Sequence, residues 1–257
     1  MNNNKIKPDI KPIIAALQFL TIIPIPMTVS KADMERSLPW FPVAGLVTGS
    51  MAAAAFLLAH LFGLPPMMAG LVGVLVLSAS NGFFHLDGIA DTADGFFSSR
   101  PKARILEIMR DSRIGTMGVV GLFFILGLKW SALAAMAPGI GWRALVIAAV
   151  VARCTQVFTL TMMPYARKEG GLASVFLKTH MPAHMAMVFV SGLLLPAILA
   201  GIPGILGVLT SIAAAFAFNF WCLNKIDGMT GDTVGALTEI VETIVLCIMA
   251  VVILGGV

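Results

Sequence analysis

Residues 41–84 read FPVAGLVTGSMAAAAFLLAHLFGLPPMMAGLVGVLVLSASNGFF, a run of 44 residues without one Asp, Glu, Lys or Arg. A helix needs about 20 apolar residues to cross the hydrocarbon layer of a bilayer. The run holds two such lengths, and Leu64-Pro65-Pro66 breaks it near the middle. Proline removes a backbone donor and stops a helix, so two spans joined by a tight hairpin are predicted. The signature recurs over 179–224, where 46 uncharged residues are broken at Gly201-Ile202-Pro203-Gly204. Residues 116–137 and 141–163 form a third pair around Pro138-Gly139-Ile140, and 234–256 is a last span. The expectation is an all-α integral membrane protein, one polytopic domain over 1–257 with about seven transmembrane helices. The spans are placed at about 41–63, 66–84, 116–137, 141–163, 184–201, 204–223 and 234–256. Residues 12–26 are short and interrupted by proline. They read as an N-terminal interfacial or re-entrant segment, with packing inside the bundle left open.

Composition agrees. The 257 residues are 58% hydrophobic and 12% charged, with mean hydropathy +0.95. Soluble chains run near ~25% charged, so a soluble globular domain, a disordered chain and a secreted disulfide scaffold are excluded. The net charge of +4 is too small to indicate nucleic acid and suits basic loops facing an anionic membrane surface. Cys154, Cys222 and Cys247 sit in apolar runs and read as free thiols.

The charges also orient the spans. On this map one side collects Lys5, Lys7, Lys11, Lys31, Arg36, Arg100, Lys102, Arg104, Arg110, Arg113, Arg167, Lys168, Lys178 and Lys225. By the positive-inside rule that side is cytoplasmic. All thirteen acids fall on or just inside the same face. Chemistry confined to one face argues against a transporter, which needs access from both sides.

Three clusters carry the chemistry. In the first, Asn81 to Gly95, Asp87, Asp91 and Asp94 stand at i, i+4 and i+7, within roughly 60° on one helical face. Three carboxylates on one face repel each other unless a cation lies between them, and hard oxygen ligands suit Mg²⁺. His85 is read either as a base or substrate contact, or as a partner that orients Asp87. In the second cluster, Arg100 and Arg113 can grip phosphate oxygens as forks, and Asp111 can join the metal site. The third, Lys225 to Ala236, joins a Gly-rich turn to Thr230, Gly231, Asp232 and Thr233 at a helix start, a setting that can cradle phosphate. Glu239 and Glu242 enter the last span and are costly in lipid, as is Arg153 in mid-span; each reads as functional. Lys129 and Arg143 are expected to snorkel toward the outer surface. Arg167 offers a loop anion site.

The run His85-Leu86-Asp87-Gly88-Ile89-Ala90-Asp91-Thr92-Ala93-Asp94-Gly95, followed by Met109-Arg110-Asp111-Ser112-Arg113-Ile114-Gly115, resembles the cobalamin synthase (adenosylcobinamide-GDP ribazoletransferase) family. Tyr165-Ala166-Arg167 with Glu169-Gly170, and Thr230-Gly231-Asp232-Thr233 with Gly235-Ala236, resemble its later motifs. Phe19-Leu20-Thr21, Pro24-Ile25-Pro26 and Phe41-Pro42 with Gly45 fit as well, so the likeness runs from about residue 15 to the end. The resemblance implies a Mg²⁺-dependent enzyme of the bacterial cytoplasmic (inner) membrane, with its active loops on the cytoplasmic face. Its substrates would be adenosylcobinamide-GDP and α-ribazole or its 5′-phosphate. Its products would be adenosylcobalamin or its 5′-phosphate, plus GMP. On that reading Asp87, Asp91, Asp94, Asp111 and Asp232 hold the metal, and His85 or one of the acids takes the hydroxyl proton. Arg100, Arg113, Arg153 and Arg167, with Thr230, Gly231, Thr233 and Glu239, serve substrate and phosphate. Lipid and the enzymes that make the two substrates are implied neighbours, nucleic acid is not, and a homo-oligomer stays open. The alternatives are a membrane prenyltransferase or a CDP-alcohol phosphotransferase, whose aspartate spacings fit less well, and an ion transporter.

Overall fold

The computed structural model describes residues 9–176 and 182–255. Lys5, Lys7 and Lys178 of the charge count, and the first residues of the 179–224 run, lie outside the described residues. Eleven α-helices are described: α1 (Lys11–Leu20), α2 (Lys31–Glu35), α3 (Phe41–Leu61), α4 (Pro66–Ala79), α5 (Phe84–Phe96), α6 (Lys102–Ile108), α7 (Thr116–Ala134), α8 (Pro138–Met162), α9 (Pro182–Ala200), α10 (Ile202–Ile226) and α11 (Gly231–Leu254). No strand occurs among the described residues; one isolated parallel bridge joins Tyr165 to Met229.

Local chemistry sets the ends of these helices. Pro42, Pro66, Pro138 and Pro203 stand in the first turns of α3, α4, α8 and α10. There a missing N–H costs nothing and the fixed φ suits the helix. Thr230 and Thr233 form a reciprocal capping box at the start of α11, as Ser30 and Asp33 do for α2.

α8 is the central helix, with 78% of its span buried against 22% for α7. α3 lies flush along it because Gly45 and Gly49 carry no side chain. A Cβ at Gly49 would stand 2.9 Å from the Ala149 Cβ and 2.9 Å from the Val146 Cα. Small residues that let backbones approach are the usual means of packing helices in lipid, where burial from water supplies no drive.

The expected spans each coincide with a helix, with one correction of length. The span expected over 66–84 ends at Ala79, and α5 leaves it at 87°. The turn is made by two successive left-handed residues, Gly82 at φ 66° and Phe83 at φ 62°. Five segments are long and apolar enough to cross a bilayer: Leu38–Leu61, Thr116–Ala134, Pro138–Met162, Ile202–Ile226 and Gly231–Ile253. The bent pair α4–α5 is a sixth candidate, and the apolar part of α9, Ala186–Ala200, is shorter. Among the described residues five or six helices meet that length and apolarity, against about seven expected; α4 has 14 residues and the apolar part of α9 is short. α1 buries Pro12, Ala15, Ala16 and Leu20 against the bundle and leaves its other side open. At ten residues, about 15 Å, it cannot cross a bilayer.

Candidate active site

The three clusters and the 164–170 loop, far apart in the chain, meet at one end of the bundle. Gly88 begins the assembly. A Cβ there would lie 2.5 Å from the Asp232 carbonyl oxygen and 3.1 Å from the Ala236 nitrogen. Its absence lets α5 press on the first turn of α11, which brings Asp232 beside the acid face of α5. Gly88→Ala should force the helices apart at a cost of about 1–3 kcal/mol. A thermal-unfolding comparison in detergent checks this; an unshifted midpoint would mean that the contact yields.

The 164–170 loop is zipped to the start of α11. Met229 N donates to the Pro164 carbonyl and Ala166 N to the Met229 carbonyl, both at 2.8 Å. This sets Arg167 on Asp232, with Nη2 donating to Oδ2 at 2.7 Å. The Thr230 hydroxyl donates to the same oxygen at 3.2 Å. Arg110 pairs with Glu169 across the loop, and Lys102 with Asp227 at 2.8 Å.

On α5, Asp87 is exposed and Asp91 is half-buried. Among the described residues neither has a hydrogen-bond or salt-bridge partner. The Asp91 carboxyl is pushed up to about 7, by burial first and then by the charges of Asp87 and Asp232. The unfolded chain holds this group near 3.8. Between those values the folded chain keeps a proton that the unfolded chain has lost. Stability contributed here therefore falls as pH rises from about 4 to about 7. Without divalent cation, the unfolding temperature should decline over that window, and Asp91→Asn should flatten the decline. If the variant keeps the wild-type slope, Asp91 is not its source.

Asp94 has a second task. Its oxygens accept from Gly115 N at 2.6 Å and Gly118 N at 2.8 Å, capping the start of α7. Beyond it opens a surface cavity of about 590 Å³, lined by Asp94, Arg104, Arg110, Asp111 and Arg113. Asp111 does not join the other carboxylates. Arg113 grips both its oxygens, Nε at 3.0 Å and Nη2 at 2.6 Å, which holds it at about 2. Arg104 and Arg110 thus belong to the site region, although the sequence reading had no role for them there. Arg100 is exposed in the α5–α6 connection.

Several expected site residues are elsewhere. His85 has no exposed surface and bonds Gln156 at 3.1 Å. A group sealed inside the bundle cannot reach a bound hydroxyl in this conformation, so of the two expected proton acceptors the arrangement favours the acids. Thr230 and Thr233 spend their hydroxyls on the cap of α11, at 2.9 and 3.3 Å, rather than on phosphate. Gly231 stands in that first turn and is partly exposed. Arg153 and Glu239 are fully buried and belong to an internal ion network. There Lys129 Nζ bonds Glu239 Oε2 and Glu242 Oε2, each at 2.6 Å, and Arg153 Nη1 bonds Glu242 Oε1 at 2.9 Å. Lys129 therefore does not snorkel. Arg143 is exposed, donates to the Leu199 carbonyl at 3.3 Å and lies over Trp142.

No set of three His, Cys, Asp or Glu side chains among the described residues already converges as a metal cage. The donor chemistry nevertheless suits a hard cation. Asp87, Asp91 and Asp232 are oxygen donors, and the charges of Asp87 and Asp232 add to burial in raising Asp91.

A family model described as cobalamin-5-phosphate synthase matches residues 12–250. A protein of Geotalea daltonii called adenosylcobinamide-GDP ribazoletransferase is 37% identical, over 94% of this chain and 96% of its own. Proteins of that name from Clostridium novyi and Klebsiella pneumoniae are 34% and 36% identical, over 91% and 92% of this chain and 94% and 98% of theirs. No solved structure matches the chain. With the motifs, the helices and nearly full-length likeness in agreement, the chain belongs to the cobalamin-5-phosphate synthase family.

Proposed function

We propose that this chain is an adenosylcobinamide-GDP ribazoletransferase. It moves the adenosylcobinamide-phosphate group of adenosylcobinamide-GDP onto α-ribazole, or α-ribazole 5′-phosphate, and releases GMP. The observation that carries the reading is the meeting of Asp87, Asp91 and Asp232 at one end of a membrane bundle, with Arg167 on Asp232. In the reaction the ribazole 3′-hydroxyl attacks the phosphorus bonded to cobinamide. The bond from that phosphorus to the GMP oxygen breaks, and GMP leaves with its electron pair.

Mg²⁺ fits this reading, held by Asp87, Asp91 and Asp232 with Asp94 adjoining. Those residues would hold it, and the chemistry it would supply there is neutralisation of the diphosphate and the leaving phosphate. The remaining work falls to the chain. Arg167 holds Asp232 in place. The basic cavity beyond Asp94 receives phosphate, with Arg104, Arg110 and Arg113 supplying donors. Arg113 exchanges Asp111 for a phosphate oxygen when substrate enters. With His85 sealed away, the hydroxyl proton passes to Asp87 or Asp91.

The same reading puts the protein in the bacterial cytoplasmic membrane, with this face toward the cytoplasm and the enzymes that make its substrates nearby. The test is turnover in proteoliposomes, with and without Mg²⁺, scored by GMP and corrinoid product. Mg²⁺-dependent product supports the proposal. Folded protein that yields none overturns it, and prenyl diphosphates and CDP-alcohols become the next substrates to try.

A further inference from the structure

A second cavity adjoins the basic one along α6. Its volume is about 520 Å³, within the range of small-molecule sites, about 300–1,000 Å³. It shares Arg104, Glu107 and Arg110 with the cavity beyond Asp94. Its other walls differ in kind. Ala103 and Leu106 give it an apolar side, and Glu169 brings a carboxylate from the 164–170 loop. Two residues before Glu169, Arg167 holds Asp232 at 2.7 Å. The cavity therefore meets the phosphate region along α6 and the acid site through the loop.

Its charged groups are paired in a way that a ligand can undo. Arg110 bonds Glu169, and Arg104 bonds Glu107. All four side chains are about half exposed or more. Ion pairs of that kind contribute little to stability, so they part at small cost. A ligand that parts them must bring an anion for the arginines and N–H donors for the carboxylates. A guanosine phosphate brings both. Its phosphate oxygens suit the guanidinium forks. The N1–H and N2–H of its base lie side by side and match the two oxygens of one carboxylate. Adenine presents an acceptor at N1, the ribazole base has no N–H, and a corrin ring is too large for the cavity. We infer that this cavity binds the guanine of the leaving nucleotide. Glu169 takes the N1–H and N2–H edge, Ala103 and Leu106 lie against the face of the base, and Arg110 passes from Glu169 to the phosphate. The inference rests on the proposed reaction, which supplies the nucleotide, and adds where its base sits and what selects it.

The test compares GMP with AMP by equilibrium dialysis, using the full chain in nanodiscs. The two share their phosphate and ribose, so the ratio of their affinities is blind to any change in phosphate contact. Wild type should bind GMP about tenfold or more tighter than AMP, since a site that hydrogen-bonds one edge rejects a base lacking it. Glu169→Ala should bring the ratio to within about threefold of one, and Lys168→Ala should leave it unchanged. Ala103→Trp fills the cavity from an exposed position and should weaken GMP about tenfold or more. Equal wild-type affinities overturn the inference, as does a ratio that survives Glu169→Ala or GMP binding that survives Ala103→Trp. Wild type that turns over adenosylcobinamide-GDP but binds GMP and AMP alike keeps the proposed reaction and loses the guanine site. GMP selectivity that depends on Glu169, in wild type that makes no corrinoid product, keeps the guanine site and removes the proposed reaction.

Discussion

Lys129→Met is expected to destabilise the protein by about 3–5 kcal/mol, the usual cost of leaving a buried charge without its partner. Lys129 holds Glu239 and Glu242 together, and Arg153 bonds only Glu242. The substitution leaves Glu239 inside the bundle with no hydrogen-bonded cation and a like charge one helical turn away. All four side chains are buried. For a domain of this size the unfolding temperature should fall by roughly 6–20 °C. The readout is thermal unfolding in detergent, with Arg143→Met as control. Arg143 is exposed and makes only a long bond to a carbonyl and a contact with the adjacent Trp142 ring, so its loss should cost under about 1 kcal/mol. Equal shifts for the two variants would mean that the buried network contributes nothing beyond an ordinary surface charge. The network joins α7, α8 and α11, and the first turns of α7 and α11 border the acid site. Its integrity therefore bears on where Asp94 and Asp232 stand.

Asp91→Ala is expected to abolish turnover to within about one part in 10³ while the protein inserts and folds. A cation-holding carboxylate supplies several kcal/mol of charge stabilisation in a phosphoryl transfer, and each 1.36 kcal/mol is about tenfold in rate. Stability should hold or rise, because Asp91 is partly buried against Asp87 and Asp232 and has no partner in the free chain. This separates it from Asp94→Ala, which also strips the cap of α7 and should cost about 0.5–2 kcal/mol of stability. Turnover within threefold of wild type from well-folded Asp91→Ala would remove the carboxylates from the chemistry.

Much of this was legible in the chain. The uncharged runs located the hairpins to within a few residues, because exclusion of charge from lipid is a local property of each segment. The i, i+4, i+7 spacing put Asp87, Asp91 and Asp94 on one helical face before any fold was known. The Gly-rich turn ahead of Asp232 was read as a helix start, and it is one. The loop pairing of Arg110 with Glu169 left no trace of that kind, since 59 residues separate them.

The sequence by itself determined the membrane class, the helix order and the shared face of Asp87, Asp91 and Asp94. Hydropathy and helical period act within one segment, and those features need nothing more. Only the tertiary structure decided what each polar group faces. It turned Lys129 inward to two glutamates, sealed His85 against Gln156, set Arg167 on Asp232 and brought Asp232 against Gly88. The physical reason is that the fate of a polar side chain in a bundle depends on its partner across the interface. That partner comes from another helix, tens to more than a hundred residues away, at a register that no single segment encodes.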